Sequence, residues 1–437
     1  MPLHPERRRI GRHSTINAIV LMYPNRFVVW VATAAIVLSP ALVLTMQGGA
    51  GYCYFTLLVI AVGWAVHPVN WKRCRSIWRE YWLYLVCMLA LPAAVLFQVL
   101  ILHTARLQAF DPILRFGLII PGFFLLASLP SAQLRLVQWG FVAGAIATGV
   151  WALHELSYAG TWATPGRLGN TFTNPIPFGG TALLLGFLAF VSLERDREIR
   201  LAEWVIKVIA LLCGCYASYL SGARGAWLAL PILGWAALAR RHWLSNRWVA
   251  TGFVLLLIAV LGTLSTTSMV RERVTALESD ILKLSGGDTE TSTGLRIELW
   301  KASLELYAKQ PIFGVGKGRL KEAIAHLPQY KHLAHDFQMD HAHNEMLSML
   351  AEVGTVGLVC LLLLYWGPLR YFLTYRRHSD PAIASAAYMG LAMVLGTFVF
   401  GLTNDVFAVV MNSAFYALTT ATLLAIIASR KRELAER

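Results

Sequence analysis

Two kinds of residue in this chain stand where their chemistry is costly. His343 and Asn344 fall at the junction between a polar stretch and a long apolar run, in DHAHNEMLSMLAEVGTVGL (Asp340 to Leu358). A general base near pH 7 needs a neutral imidazole, and a helix N-terminus disfavours the imidazolium form. His343 at such a junction is therefore a candidate proton acceptor. A helix-capping or interfacial histidine is the plainer alternative. A metal is a third, because His332, His335, Asp336, Asp340, His341 and His343 crowd together, although their spacing matches no common zinc signature. Gly354 lies eleven residues beyond His343, three helical turns along one expected face. With Gly357 it forms a small-residue patch against which another helix is expected to pack closely.

The second kind is arginine at membrane depth, where an ionisable group is a functional candidate by default. Arg224 lies in SGARGAW, with Ser221 as the expected N-cap of the helix that follows. Free N–H groups and a guanidinium at one helix start make an anion site suited to phosphate. The alternatives are an arginine snorkelling to the interface, or one paired with Asp405 or Glu352. Arg115 sits about one turn inside the fourth apolar run, with Asp111 four residues earlier on the same face. Arg167 occupies the loop GRLGNTFTNPIPFGG, and Arg106 a short linker nearer the N-terminus.

The elements that must hold these groups are membrane helices. Of the 437 residues 57% are hydrophobic and 14% charged. Soluble domains carry about 25% charged residues, so a soluble enzyme and a disordered chain are both excluded. Twelve apolar runs are expected to span, near 27–46, 50–66, 80–102, 112–129, 136–156, 175–193, 203–220, 224–239, 248–267, 345–366, 381–402 and 405–428. Placing both termini in the cytoplasm puts 23 of the 38 Lys and Arg on the cytoplasmic side, in alternate linkers. The long loop 268–344 carries 10 bases and 10 acids and is neutral. The net charge of +14 then reflects topology, not nucleic acid. All the singled-out arginines and His343 fall on the outer side.

The expected fold is all-α: a polytopic membrane protein of about 12 transmembrane helices with a helical loop domain. Its parts are residues 1–267 (cytoplasmic N-terminal segment and nine spans), the loop domain 268–344, and residues 345–437 (three spans and a cytoplasmic tail). The N-terminal region, with Arg7, Arg8, Arg9 and Arg12, does not read as a cleaved signal. Within the loop, Leu295, Leu299, Ala302 and Leu306 share one helical face closed by Pro311, and a second short helix is expected from Gly318 to Leu327. Between them lies GVGKG (Gly314–Gly318), which lacks the GxxxxGK[ST] of a P-loop. The six cysteines avoid the long loop, so no disulfide framework is expected. The expected substrate is a pre-activated, membrane-borne anion reached from outside.

These residues resemble the O-antigen ligase and polymerase family of bacterial envelope glycosyltransferases. The ligase signature of that family is a His, a small amide or hydroxyl residue, nine residues, then Gly-x-x-Gly. Here it reads His343-Asn344, nine residues, Gly354-Thr355-Val356-Gly357. SGARGAW resembles the family's Ser-x-x-Arg-Gly helix start. GLRIELW…PIFGVGKG, with Arg296, resembles the start of its large periplasmic loop, and RLGNTFTNP its arginine-containing loop before the middle spans.

The resemblance implies an inner-membrane enzyme with a periplasmic site, an undecaprenyl-diphosphate-linked glycan donor, a lipid A–core acceptor and no cofactor or metal. It implies that Arg224 and Arg296 grip the diphosphate while His343 takes a proton from the acceptor hydroxyl. Arg167, Arg115, Arg106 and Asn344 would assist in substrate binding. A polymerase using the same donor is the near alternative. A lipid-linked glycan transporter is the alternative from another class, since twelve helices is a common transporter count.

Overall fold

The structure, a computed structural model, describes residues 24–158, 160, 162, 164–193, 201–240, 246–248, 251–252, 255, 292–331, 333 and 341–437. It is all-α: the described residues hold no strand, only two isolated bridges, Thr164 with Arg167 and Asn170 with Thr173. The helices are α1 (Arg26–Leu42), α2 (Gly49–Val66), α3 (Trp71–Phe97), α4 (Phe110–Leu126), α5 (Val137–Leu156), α6 (Pro175–Val191), α7 (Leu201–Leu220), α8 (Arg224–Trp227), α9 (Leu230–Arg240), α10 (Ser292–Lys309), α11 (Leu320–Ala325), α12 (Glu345–Tyr375), α13 (Pro381–Gly401) and α14 (Val410–Ala435). Among the described residues eight helical stretches are long and apolar enough to cross a membrane, and α1 and α6 are shorter apolar helices. This is a polytopic membrane protein.

Starts are set by capping side chains. Asn174 accepts from the Ile176 N–H (3.1 Å) just before Pro175, and Asp380 accepts from Ala382 (3.0 Å) just before Pro381. Proline at a first helical position loses nothing, because its missing N–H would have had no intrahelical partner. The centre of the bundle is α13 and α14, whose apolar stretches are each 89% buried, against 28% for α7 at the edge. Rings seal this centre: Phe116 of α4, Tyr365 of α12 and Tyr416 of α14 surround Phe407, at centroid distances of 4.9, 5.5 and 5.1 Å.

Three sequence expectations are corrected. The run 224–239 is not one helix; Pro231 has no N–H to return to Trp227, so a four-residue turn (α8) ends and α9 starts afresh. The last run begins in a 3-10 turn, Val406–Ala408, which leaves Asp405 in the connection rather than in a span. The run 248–267 and the loop segment 268–291 lie outside the described residues, apart from Trp248, Thr251, Gly252 and Leu255. Within the loop, α10 and α11 arise where the pattern placed them: Leu299, Ala302 and Leu306 are buried against Leu320, Ile324 and Leu327. Ala342 and Ala351 close this small second core, so the loop helices rest on the start of α12.

The third correction concerns Gly354. It does not face a neighbouring helix. Its φ of 70° and ψ of −160° break α12 in mid-course, and the chain segment Pro311–Gly316 fills the gap. Carbonyls freed by the break accept from that segment: Ala351 from the Val315 N–H (2.9 Å) and Glu352 from the Gly316 N–H (2.8 Å). Freed N–H groups donate to it: Thr355 to Pro311 (2.8 Å) and Val356 to Ile312 (3.3 Å). A Cβ at Gly354 would strike the Ile312 carbonyl, and one at Gly314 would lie 2.5 Å from the Ala351 oxygen.

Gly354→Ala should therefore destabilise the protein by about 1–3 kcal/mol, the cost of holding a side-chain-bearing residue in so sparsely populated a conformation. Thermal melting in detergent would show it as a lowered transition, and an unchanged melt would mean that α12 can straighten without cost.

Candidate functional site

His343 is the last residue but one before α12, held at φ 52° in the left-handed region. Asn344 is the N-cap: its side-chain oxygen accepts from Met346 (3.1 Å) and Leu347 (3.2 Å), while its Nδ2 donates to the Leu402 carbonyl (3.2 Å). Both ends of the Asn344 amide are thus engaged within the fold, which explains an amide at that place without a substrate. The strained turn at His343 buries its ring to 9% exposure and sets it edge-on to the His341 ring at 4.7 Å. Asn404 hydrogen-bonds the His343 side chain, and the charges of Arg296 and Asp405 lie close enough to act on it.

His343 is held neutral. Burial pushes its pKa down to about 4, helped by His341 and Arg296 and opposed by Asp405 and Asn404. The direction matches the sequence expectation, but the dominant cause is desolvation; the ring is not part of the helix. Of the six residues considered for a metal, only His341 and His343 lie among the described residues.

The arginines divide into those brought to this place and those held elsewhere. Arg296 is half-buried near the start of α10 beside His343. Arg167 donates from Nε to the Ser221 carbonyl (3.1 Å) and from Nη2 to Gly222 (3.3 Å), so it braces the SGARG turn and sits beside Arg224. Ser221 caps that turn locally: its Oγ accepts from the Ala223 N–H at 3.2 Å. Because α8 is only four residues long, the helix-dipole argument for Arg224 falls away; its guanidinium must act by its own charge. Gly225 lies against Thr403, and Asn404 reaches His343. The turn 402–405 therefore touches both the SGARG turn, through Thr403, and His343, through Asn404.

Arg115 and Arg106 are placed differently. Arg115 is buried at 5% exposure on α4, paired with Asp111 (3.1 Å) and stacked over Phe55 of α2 at 4.9 Å. Arg106 pairs with Glu322 of α11. Neither is joined to His343 by a contact the structure records.

Near His343 lies a set of buried groups whose pairing with one another the sequence reading did not find; of its members only Asp405 and Glu352 had been considered, as partners of Arg224. Lys317, from GVGKG, is 7% exposed and pairs with Glu352 Oε2 at 2.5 Å. Glu352 Oε1 accepts from the Gly318 N–H (2.9 Å), so the pairing of Glu352 with Arg224 considered from the sequence does not occur. Gln98 links α3 to both sides of the break, donating to Phe313 (2.5 Å) and Glu352 (2.9 Å) carbonyls. Glu345 accepts from the Tyr365 hydroxyl (2.9 Å) and the Phe407 N–H (2.9 Å). Asp405 is buried, and its Oδ1 has no hydrogen-bond partner. The missed signal was spacing: Glu345 and Glu352 are two turns apart on one face of an apolar run, where no carboxylate belongs without a cation.

Comparison with known proteins follows the same residues. Residues 209–362 match the family model described as O-antigen ligase, a span that includes Arg224, Arg296, Lys317 and His343. An uncharacterized protein of Haemophilus influenzae is 24% identical over 328 residues, covering 74% of this chain and 80% of that protein. An O-antigen ligase of Escherichia coli is 22% identical over 204 residues, covering 46% of this chain and 47% of that one. Over residues 209–362 the chain is thus similar to O-antigen ligases.

The depressed pKa of His343 has a sign that can be measured. As pH falls below 6.5 the unfolded chain binds a proton that the folded site refuses until about 4, so this residue erodes stability across that window. A tenfold difference in proton affinity between the folded and unfolded chain is worth about 1.4 kcal/mol. His343→Asn, which tolerates the left-handed backbone, should lose less melting temperature than the parent between pH 6.5 and 4; equal losses would show that His343 titrates normally.

Proposed function

We propose that this protein is an O-antigen ligase, transferring a finished glycan from undecaprenyl diphosphate to lipid A–core at the periplasmic face of the inner membrane. The observation that carries the reading is His343: a buried, neutral imidazole backed by Asp405 and Asn404, flanked by Arg296, and joined through the turn 402–405 to the SGARG turn that Arg167 braces. In this reading the acceptor hydroxyl oxygen attacks the anomeric carbon as His343 takes its proton. The bond from that carbon to the diphosphate oxygen breaks, and undecaprenyl diphosphate leaves with the electron pair. One displacement from the opposite face inverts the anomeric configuration.

Asp405 then supplies what the neutral base lacks. It stabilises the imidazolium as it forms, as an acid behind a histidine does in hydrolytic triads. Arg224 and Arg296, with Arg167 assisting, stabilise charge on the departing diphosphate in a site of low dielectric, which makes a divalent cation unnecessary. The Asp111 pairing of Arg115 and the Glu322 pairing of Arg106 move both residues to the margin of this scheme.

The transfer is tested in a strain lacking the protein, by the lipopolysaccharide banding pattern and the lipid-linked glycan pool. Bare core with long polymer left on the carrier supports the ligase; core bearing single repeat units supports a polymerase instead. An unchanged pattern would remove both. His343→Ala should cost on the order of 10²–10⁴-fold in transfer at unchanged membrane levels. Arg224→Lys should be nearly as poor as Arg224→Ala, because an ammonium cannot make the bidentate contact of a guanidinium; a fully active Arg224→Lys variant would argue against diphosphate recognition there.

A further inference from the structure

Lys317 is the cation of that buried set, and the transfer scheme leaves it unused. It comes from the loop segment, yet its ammonium is buried at the end of the bundle among Glu352, Glu345 and Asp405. We propose that Lys317 is a positioning residue of the transfer site: carried in on the segment that docks at the α12 break, it keeps Asp405 ionised behind His343. The inference rests on the ligase reading for its catalytic meaning, though not for its charge arithmetic.

The geometry supports this in three ways. First, Lys317 has no freedom to lie elsewhere. Residues 311–316 are hydrogen-bonded in register along the broken helix, the Lys317 N–H donates to Gln98 Oε1 (3.2 Å), and its carbonyl accepts from Arg106 (2.9 Å). Second, Glu352 does not need Lys317 alone, since the Gly318 N–H also binds it. Third, Asp405 needs a cation. The groups facing it are Lys317, His343, the Asn344 N–H, the Ser348 hydroxyl, Glu345 and Tyr365. Of these His343 is neutral, Tyr365 already donates to Glu345, and Asp405 Oδ1 has no hydrogen-bond partner. Burial drives the Asp405 carboxyl up, and Lys317 is the strongest influence holding it down. Burial likewise opposes the charge on Lys317, but Glu352, Asp405 and Glu345 outweigh it.

The proposal gives the Gly-x-x-Gly of the signature a purpose beyond folding. Gly354 opens the helix so that the segment can enter in register, and the register delivers Lys317 to Asp405.

The decisive variant is Lys317→Met with Glu352→Gln, which removes the cation without leaving a lone buried carboxylate in its place. On the proposal this double variant folds, but Asp405 takes up a proton near neutral pH. Infrared spectroscopy of the purified protein should then show a carboxylic-acid C=O band that vanishes when Asp405→Asn is added. Transfer should fall by about tenfold or more, as when an acid behind a histidine base is disabled. The acid limb of its pH profile should move to higher pH, by about tenfold in proton concentration. Lys317→Arg should keep part of the rate. If Lys317 serves only to satisfy Glu352, the double variant will transfer at the parental rate with an unmoved profile and no new band, and the proposal is overturned. Should the parent protein transfer no glycan, the ligase reading fails, while the infrared band still decides the role of Lys317.

Discussion

In hydrocarbon a helix must satisfy its own backbone, and at Gly354 the longest of the described helices does not. Two carbonyls and two N–H groups are left over in the middle of α12, in a place where water is scarce and each unmet group costs several kcal/mol. The structure meets this demand with a foreign strand of chain, Pro311–Gly316, which lies in the break like an added strand and takes up all four. Much else depends on that contact. It fixes the loop helices α10 and α11 on the bundle, sets Arg296 near His343, brings Lys317 into the acid cluster, and gives Gln98, just past the end of α3, two carbonyls to bind.

The site is an exercise in how burial, rather than helix dipoles, tunes charge. His343 stands outside the helix it precedes, and α8 is too short to lend Arg224 a dipole. What remains is desolvation and close partners. The same low dielectric that keeps His343 neutral makes Asp405, Glu345 and Glu352 dependent on named donors, and nearly every such donor comes from a different element. A site assembled in this way is rigid because no member can leave without stranding another.

Much of this was legible in the sequence. The apolar runs marked most of the described helices, and the leucine pattern of residues 295–306 placed α10 correctly, because both signals are local and periodic. His343 and Arg224 could be singled out because their types and positions are rare at membrane depth, whereas Arg296, in the polar loop, was marked only by the family resemblance. The partners were not legible. That Glu352 pairs with Lys317, thirty-five residues away, rather than with Arg224 depends on a helix break, and a break at glycine looks in sequence like a helix-packing patch. Asp405 was misplaced into a span for a related reason: the polar turn Leu402–Asp405 is only four residues long and runs straight into the apolar Val406–Val410, so the start of the last helix is not marked in the sequence.

The central position of α13 and α14 carries a consequence for how the protein is made. They leave the ribosome after every other described helix, yet they occupy the middle of the bundle and are largely buried there. Helices α1 to α9 must therefore insert and wait with their inner faces against lipid or one another, around a place not yet filled. Since α14 packs on α4, α2 and α1, the contacts that close the bundle join helices made early to helices made late. Such long-range closure costs loop entropy before it brings any packing, which makes the centre the slow part of assembly.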